Sequence, residues 1–148
     1  DLHLSIRRQR QMCIRDSIYG IVFGAKSYAA VHKFLTIAWK RNELNGEADF
    51  DIDDDNKKNQ LTLFEGKRMT KIEKFQSDLE NKLLEKTSVT NKAVLIYTYQ
   101  CGHIPKHAEV VLKRLKKEGK LNYETKTPYL TYENVFRKNN IITYQIKK

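Results

Sequence analysis

Three side chains of types that bind transition metals lie close together in the sequence: Cys101, His103 and His107. The two histidines are four residues apart, a spacing that places side chains on one face of a helix. Pro105 stands between them and disfavours one continuous helix through both positions. Since a fourth ligand is not evident either, we predict no metal site here.

Five aspartates lie between positions 49 and 55, and alternate ones from Asp51 to Asp55 have the spacing that opens a calcium-binding EF-hand loop. Such a loop also requires glycine at its sixth position and glutamate at its twelfth. This chain has Asn56 and Thr62 at those places. We therefore interpret residues 49–59 as an acidic linker between two parts of the chain.

Catalytic chemistry has no clear sequence signature in this chain. We find no nucleophile with an orienting pair of partners, no glycine-rich phosphate loop and no carboxylate pair in an apolar context. We expect the chain not to be an enzyme and to need no cofactor of its own.

The most informative pattern runs from Ile104 to Gly119, where apolar and basic residues separate onto two faces of a helix. Pro105 suits the first helical turn and Gly119 suits the C-terminal cap. The apolar face comprises Ile104, Ala108, Val111, Leu112 and Leu115. The opposite face comprises Lys106, Lys113 and Lys117, with Val110 between them. One side of this helix needs a core, and the other is suited to an anion or to water.

The charge distribution favours an anionic partner for the same part of the chain. The formal net charge is +10, and residues 85–148 carry 13 basic against 5 acidic residues, whereas residues 18–84 are balanced. A basic excess confined to one region is typical of nucleic-acid binding, although a solvated lysine-rich surface would look the same. No apolar run approaches the length of a membrane span, and two distant cysteines suit a reducing cytoplasm.

The elements around the basic helix predict an α+β fold, a winged helix-turn-helix over residues 60–148. A helix should begin near Thr70, which stands in capping-box spacing with Glu73. The octapeptide AVLIYTYQ could be a strand by composition. We assign it as a helix, capped by Thr87 or Thr90, because a helix must precede the turn at Cys101. The segments LNYE and IITYQI should form the strands of the wing, with TYENVFRKNN irregular between them.

A recognition helix of this type inserts its N-terminal part into the major groove of DNA, and flanking residues hold phosphates. We predict DNA rather than RNA as the partner. The residues predicted to face base edges are Lys106, His107, Val110 and Lys113. Those predicted to hold the backbone are Arg114, Lys117, Lys126, Arg137 and Lys138. The alternative is that the same unit is a protein-docking surface without nucleic-acid contact.

The preceding region, residues 18–48, reads as one strand and one helix. The strand spans IYGIVFGA, and Ser27 can cap the helix that follows. The helix should present an apolar face of Ala30, Phe34, Ile37, Ala38 and Trp39, and a turn should follow at Asn45 and Gly46. A single strand and helix cannot bury both apolar faces alone, which predicts the end of a larger α/β unit.

The first seventeen residues differ from the rest in character. RRQRQMCIRDS resembles the translation of a sequencing adapter, so we expect residues 1–17 to be non-native and native sequence to begin near Ile18. The alternative is a basic arm that touches nucleic acid through Arg7, Arg8, Arg10 and Arg15.

Two stretches resemble one family. YGIVFGAKSYAAVHKFLTIAWKRNELNGEADFDID, including Ala38-Trp39-Lys40, resembles the segment after the catalytic domain of bacterial and phage three-Cys-motif partner proteins. HAEVVLKRLKKEGKL resembles the winged helix that ends those proteins. The resemblance implies a parent with a Rossmann-like, SAM-dependent methyltransferase domain upstream, of which residues 18–48 would be a strand-helix remnant, and a three-Cys-motif protein as partner. The cofactor loop of such a domain would precede Ile18, so SAM is implied for the parent only.

Overall fold

The computed structural model describes residues 25–44, 46 and 69–147. Four α-helices and three short strands make up most of this part of the chain, and a π-helical turn follows the second strand. The helices are α1 (Tyr28–Arg41), α2 (Lys71–Leu84), α3 (Asn91–Gln100) and α4 (Pro105–Lys117). The strands are β1 (Ser88–Thr90), β2 (Leu121–Asn122) and β3 (Thr143–Ile146), and the π-helical turn is Glu133–Arg137.

The strands form one antiparallel sheet in the order β1-β3-β2. Val89 lies opposite Tyr144, and Leu121 lies opposite Ile146. Helices α3 and α4 pack against this small sheet, and the combination of several helices with one antiparallel sheet confirms the predicted α+β fold. The sequence analysis did not predict β1, because a three-residue strand directly before a helix carries no alternation of its own.

Helix α2 begins as predicted. Thr70 accepts a hydrogen bond from the Glu73 backbone N–H through its side chain, and the Glu73 carboxylate accepts one from the Thr70 backbone N–H. This reciprocal capping box satisfies two donors that the first helical turn would otherwise leave unpaired. Phe75, Leu79 and Leu83 then recur at helical spacing and are buried.

The segment AVLIYTYQ, whose composition also suits a strand, forms most of helix α3. The Thr90 hydroxyl accepts a hydrogen bond from the Ala93 backbone N–H, which fixes the helix start. Val94 and Leu95 are buried in the core between α3 and its neighbours. Tertiary burial, and not local propensity, selects the helical conformation here.

Helix α1 packs on the helix-turn-helix unit. Ser27 caps it as predicted, but the buried face consists of Leu35 and Trp39, whereas Ile37 is 66% exposed. The prediction that Ile37 belongs to the apolar face was therefore wrong. Positions 35 and 39 are one turn apart, and Val31 and the predicted Phe34 pack partly buried against the core beside them.

Trp39 is the main anchor of α1. Its indole N–H donates to the Gly102 carbonyl oxygen at 2.9 Å. Gly46 closes the turn after α1 with φ +69°, and a Cβ there would come within 2.5 Å of the Trp39 ring. Glycine at position 46 thus allows the chain to pass directly against the indole.

Several predictions concern residues outside the described ranges. They are the strand from Ile18, the acidic linker 49–59, the EF-hand alternative and the character of residues 1–17. In the part of the chain that is described, no helix combines the length and the apolar content needed to cross a lipid bilayer.

Candidate nucleic-acid interface

The exposed face of α4 is the one that its sequence predicts. Ala108, Val111, Leu112 and Leu115 are completely buried. On the other side, Lys106, Val110, Lys113 and Lys117 are all exposed, with Val110 at 52%. We call these four residues the lysine face. Spacings of three and four residues place them along one stripe of the helix.

A tight turn sets α4 at an angle to α3. Gly102 adopts φ +74°, and its N–H donates to the Tyr99 carbonyl oxygen at 3.0 Å. The His103 N–H donates to the Thr98 carbonyl oxygen at the same distance. These bonds satisfy the carbonyl groups at the end of α3 with a left-handed glycine at the turn. Pro105 then opens α4 at a position where the absence of an N–H is harmless.

The charged side chains of α4 differ in their partners. Lys113 forms an ion pair with Glu109 one turn earlier on α4, at 3.0 Å. Arg114 forms an ion pair with Glu80 of α2, which fixes it to the flank of the recognition helix. Lys106 and Lys117 have no ion-pair partner within the described ranges. These two lysines are therefore the most available cations of the lysine face.

His107 does not join the lysine face as predicted. Its imidazole packs edge-on against Trp39, with ring centroids 4.4 Å apart, and its Nδ1 lies 3.1 Å from the Nδ1 of His103. His103 in turn stacks on Phe75, with centroids 4.1 Å apart. Position 107 lies about 100° from position 106 on the helix. This direction places it against Trp39 of α1 and Gln76 of α2. The His107 ring therefore lies at the contact between α1, α2 and α4 rather than on the lysine face.

Burial keeps this histidine pair neutral. Loss of solvation, with smaller contributions from His107 and Lys71, lowers the pKa of His103 to about 3. Loss of solvation and the nearby Lys106 charge lower the pKa of His107 to about 4. Two neutral imidazoles can share one Nδ1–H between them, with one ring donating and the other accepting. At neutral pH the pair is therefore an uncharged hydrogen bond inside an aromatic cluster.

The geometry does not assemble a metal site from Cys101, His103 and His107. Within the described part of the chain, no group of three or more histidine, cysteine, aspartate or glutamate side chains lies close enough to hold a metal ion. The two Nδ1 atoms face each other, and the Cys101 thiol interacts with the Tyr97 hydroxyl instead.

Lys116 attaches the first part of the wing to α4. Its ammonium group donates to the carbonyl oxygens of Tyr123 and Thr125, both at 3.0 Å, and lies 3.6 Å from the centre of the Tyr123 ring. Lys126 follows directly on this anchored segment and is exposed. The sequence analysis missed this role of Lys116. The position of Lys116, at the edge between the apolar and basic faces of α4, could have indicated that it contacts a neighbouring segment.

Arg137 and Lys138 belong to a different part of the wing. They close the π-helical turn, which the sequence analysis expected to be irregular. Phe136 in this turn stacks on Tyr28 of α1 at 4.8 Å, and Val135 is buried in the core. The turn is thus held against α1, whereas the segment around Lys126 is held against α4.

Asn91 joins the wing to the start of α3. Its side-chain amide is completely buried and donates to the carbonyl oxygens of Tyr129 and Asn140, at 3.0 and 2.8 Å. Its side-chain oxygen accepts from the Ile142 N–H at 3.2 Å. The segment that connects the wing strands β2 and β3 is therefore held by one buried side chain, and the hydrogen bonds of that side chain are satisfied.

This order of elements, with α2, β1, α3, a tight turn, α4 and two wing strands, defines a winged helix-turn-helix domain. The model of the family described as GMT-like wHTH domain matches residues 51–128, more than half of the chain, and the chain belongs to this family. No curated protein and no solved structure matches the chain.

Proposed function

We propose that this chain binds nucleic acid, and double-stranded DNA in particular, through the lysine face of α4 and the wing. The observation that carries the proposal is the lysine face itself, an exposed basic stripe on the helix that follows the tight turn. Membership of a winged helix-turn-helix family supports it, since this arrangement of elements commonly presents such a helix to DNA.

The width of the major groove favours DNA over RNA as the partner of α4. The major groove of B-form DNA is about 12 Å wide and accepts an α-helix, whereas the major groove of A-form RNA is too narrow for side chains to read. Lys106, Val110 and Lys113 would face base edges in this mode. Lys117 and Lys126 would hold phosphates on the wing side, and Arg114 on the α2 side.

Arg137 and Lys138 have the weakest support among the proposed backbone contacts. Their turn is held against α1 and not against α4. They would reach phosphates only where the nucleic acid extends past the wing toward α1. His107 is not part of the proposed contact surface because its ring packs against Trp39.

We also propose a domain assignment for the chain. We assign residues 18–48 to the end of a methyltransferase-like domain, residues 49–59 to a linker and residues 60–148 to the winged helix. On this assignment the chain is the C-terminal part of a three-Cys-motif partner protein, whose cofactor SAM would bind upstream. Calorimetric titration of this chain with SAM should then give no binding heat, and saturable binding would contradict the assignment.

The test of nucleic-acid binding is a salt series with the full chain on mixed-sequence duplex DNA and on duplex RNA. The variant Lys106→Glu/Lys113→Glu/Lys117→Glu reverses three charges on the lysine face. The matched control Lys26→Glu/Lys33→Glu/Lys40→Glu reverses three exposed lysines in and beside α1, with the same change in net charge. The logarithm of the wild-type affinity should fall linearly with the logarithm of the salt concentration, by about 0.9 in slope per phosphate neutralised.

The expected result is loss of DNA binding in the α4 variant and retention of most binding in the α1 control. Equal losses in both variants would mean that net charge alone holds the DNA, which contradicts a defined interface. Absence of binding by the wild-type chain would favour the alternative function, a protein-docking module.

A further inference from the structure

Val110 is an exposed apolar side chain at the centre of the lysine face. It is 52% exposed and stands one turn after Lys106, one turn before Lys113 and two turns before Lys117. Single exposed apolar residues are common on protein surfaces. This one occupies the second turn of α4, within the N-terminal half that a recognition helix of this class places in the groove. Its position in the middle of the lysine face would let it approach a base edge if α4 enters the groove.

Several side chains around Val110 are held by other groups of the protein. Glu109 forms an ion pair with Lys113 at 3.0 Å, and Arg114 forms an ion pair with Glu80. The His107 ring packs against the Trp39 ring. Of the side chains around Val110, only the flexible Lys106 and Lys117 have no ion-pair partner within the described residues. Their ammonium groups can neutralise phosphates or donate to guanine O6 and N7, but they offer no apolar contact to a base, which only Val110 can make on this face.

The chemistry of valine restricts what it can recognise. Its side chain ends in two methyl groups and has no hydrogen-bonding atom, so it can only bury apolar surface. The one apolar group that a base pair presents in the major groove is the C5-methyl group of thymine. Cytosine presents an amino donor on that side of the groove, and uracil lacks the methyl group.

We propose that Val110 is a specificity-determining residue that reads a thymine C5-methyl group in the major groove. This inference rests on the proposed function, that α4 binds duplex DNA. It assigns the partner more closely, as B-form DNA that carries thymine at the position opposite the second turn of α4.

The test begins with selection of duplexes from a random-sequence DNA pool by the full chain. In the duplex with the highest affinity, each thymine is then replaced in turn by deoxyuridine, which removes one methyl group and leaves base pairing unchanged. Each duplex is titrated with wild-type protein and with Val110→Ala, which favours the helix and should fold normally. Ile37→Ala is the matched control, since Ile37 is a β-branched apolar residue exposed on α1.

One position should respond as a methyl contact. There, deoxyuridine should weaken wild-type binding about fourfold, the equilibrium effect of one methyl group left in water. The same replacement should change the affinity of Val110→Ala by less than about twofold, whereas Ile37→Ala should behave as wild type.

Two results would overturn the inference while leaving the proposed function intact. Wild-type protein could bind every deoxyuridine duplex as well as the thymine duplex, or Val110→Ala could keep the full sensitivity to deoxyuridine. Failure of the wild-type chain to bind any duplex would be a different outcome, because it would remove the proposed function and the inference with it.

Discussion

The pair of His103, which is buried, and His107, which is partly buried, links three helices through uncharged contacts. Their Nδ1 atoms are 3.1 Å apart, and the rings pack against Trp39 and Phe75. Lys71 and Lys106 add positive potential at the pair. A proton on either ring would place a charge in an apolar cluster, and on both rings it would add repulsion across a very short distance. The pair is stable only while it is neutral.

We therefore expect acid to destabilise the fold well above the pH at which carboxylates titrate. The pKa values of about 3 and about 4 for His103 and His107 lie below the ordinary value of 6.5, so the unfolded chain binds protons that the folded chain excludes. The free energy of unfolding should be constant above pH 6.5 and fall below it, by about 1.4 kcal/mol per pH unit for each proton taken up. Urea titrations between pH 7 and 5, followed by fluorescence of the single tryptophan, measure this slope.

His107→Gln is the variant that tests the cause. Glutamine keeps a polar group beside His103 and has no proton to take up in this range, so the pH slope should become shallower. His32 also has a pKa lowered by burial and contributes to the slope with the same sign. A slope unchanged by His107→Gln would mean that other groups, including His32, account for the acid sensitivity.

Among the secondary-structure elements, the wing depends on α4 for its position. Lys116 is the connection, with two hydrogen bonds to backbone carbonyl groups and the Tyr123 ring against its ammonium group. Lys117, the next residue, is exposed and has no such contacts. Two adjacent lysines at the end of one helix therefore have different roles, one in the fold and one in the proposed interface.

Replacing each lysine by methionine should separate the two roles. Lys116→Met leaves two carbonyl groups without their donor and removes the cation–π contact, and we expect it to lower the free energy of unfolding by about 1–3 kcal/mol. Lys117→Met should leave stability nearly unchanged and weaken DNA binding. Urea denaturation and DNA titration of both variants measure this difference. Equal stability of the two variants would contradict the structural role of Lys116.

At the scale of the whole molecule, α1 spans the domain from the turn to the wing. Near its C-terminal end Trp39 donates to Gly102, and near its N-terminal end Tyr28 stacks on Phe136. Between them, His32 Nδ1 lies 2.9 Å from the Tyr99 hydroxyl, and the His32 ring stacks on Tyr132 at 5.2 Å. The packing of α1 makes it part of the hydrophobic core described here.

A fragment that begins at residue 60 should therefore be less stable than the full chain. It loses the burial of Leu35 and Trp39, each worth about 1.5–3 kcal/mol, and exposes the partners of Trp39 in the turn. Thermal and urea denaturation of the two proteins measure the difference. Trp39→Ala in the full chain should reproduce much of the loss, whereas Ile37→Ala should not, because Ile37 is exposed. Equal stability of fragment and full chain would show that α1 adds nothing to the winged helix.

Local signals in the sequence were enough to predict several elements. The capping box of Thr70 and Glu73, the Ser27 cap and the two faces of α4 were all correctly predicted. Each depends on residues within one or two turns of a single helix, where spacing and hydrogen-bonding capacity determine the geometry. The same applies to the exposure of Val110 and its lysine neighbours.

Contacts between elements distant in sequence decided the rest. Position 107 lies beside the lysine face on a helical wheel, yet its ring packs against Trp39 from α1 and pairs with His103, so it is partly buried. Ile37 and Leu35 are equally apolar, and only the direction from which α1 packs determines which is buried. The composition of AVLIYTYQ is compatible with a helix or a strand, and burial of its apolar residues against the other helices selects the helix. Packing directions and long-range partners are not encoded in any short stretch, which is why the tertiary structure was needed to decide them.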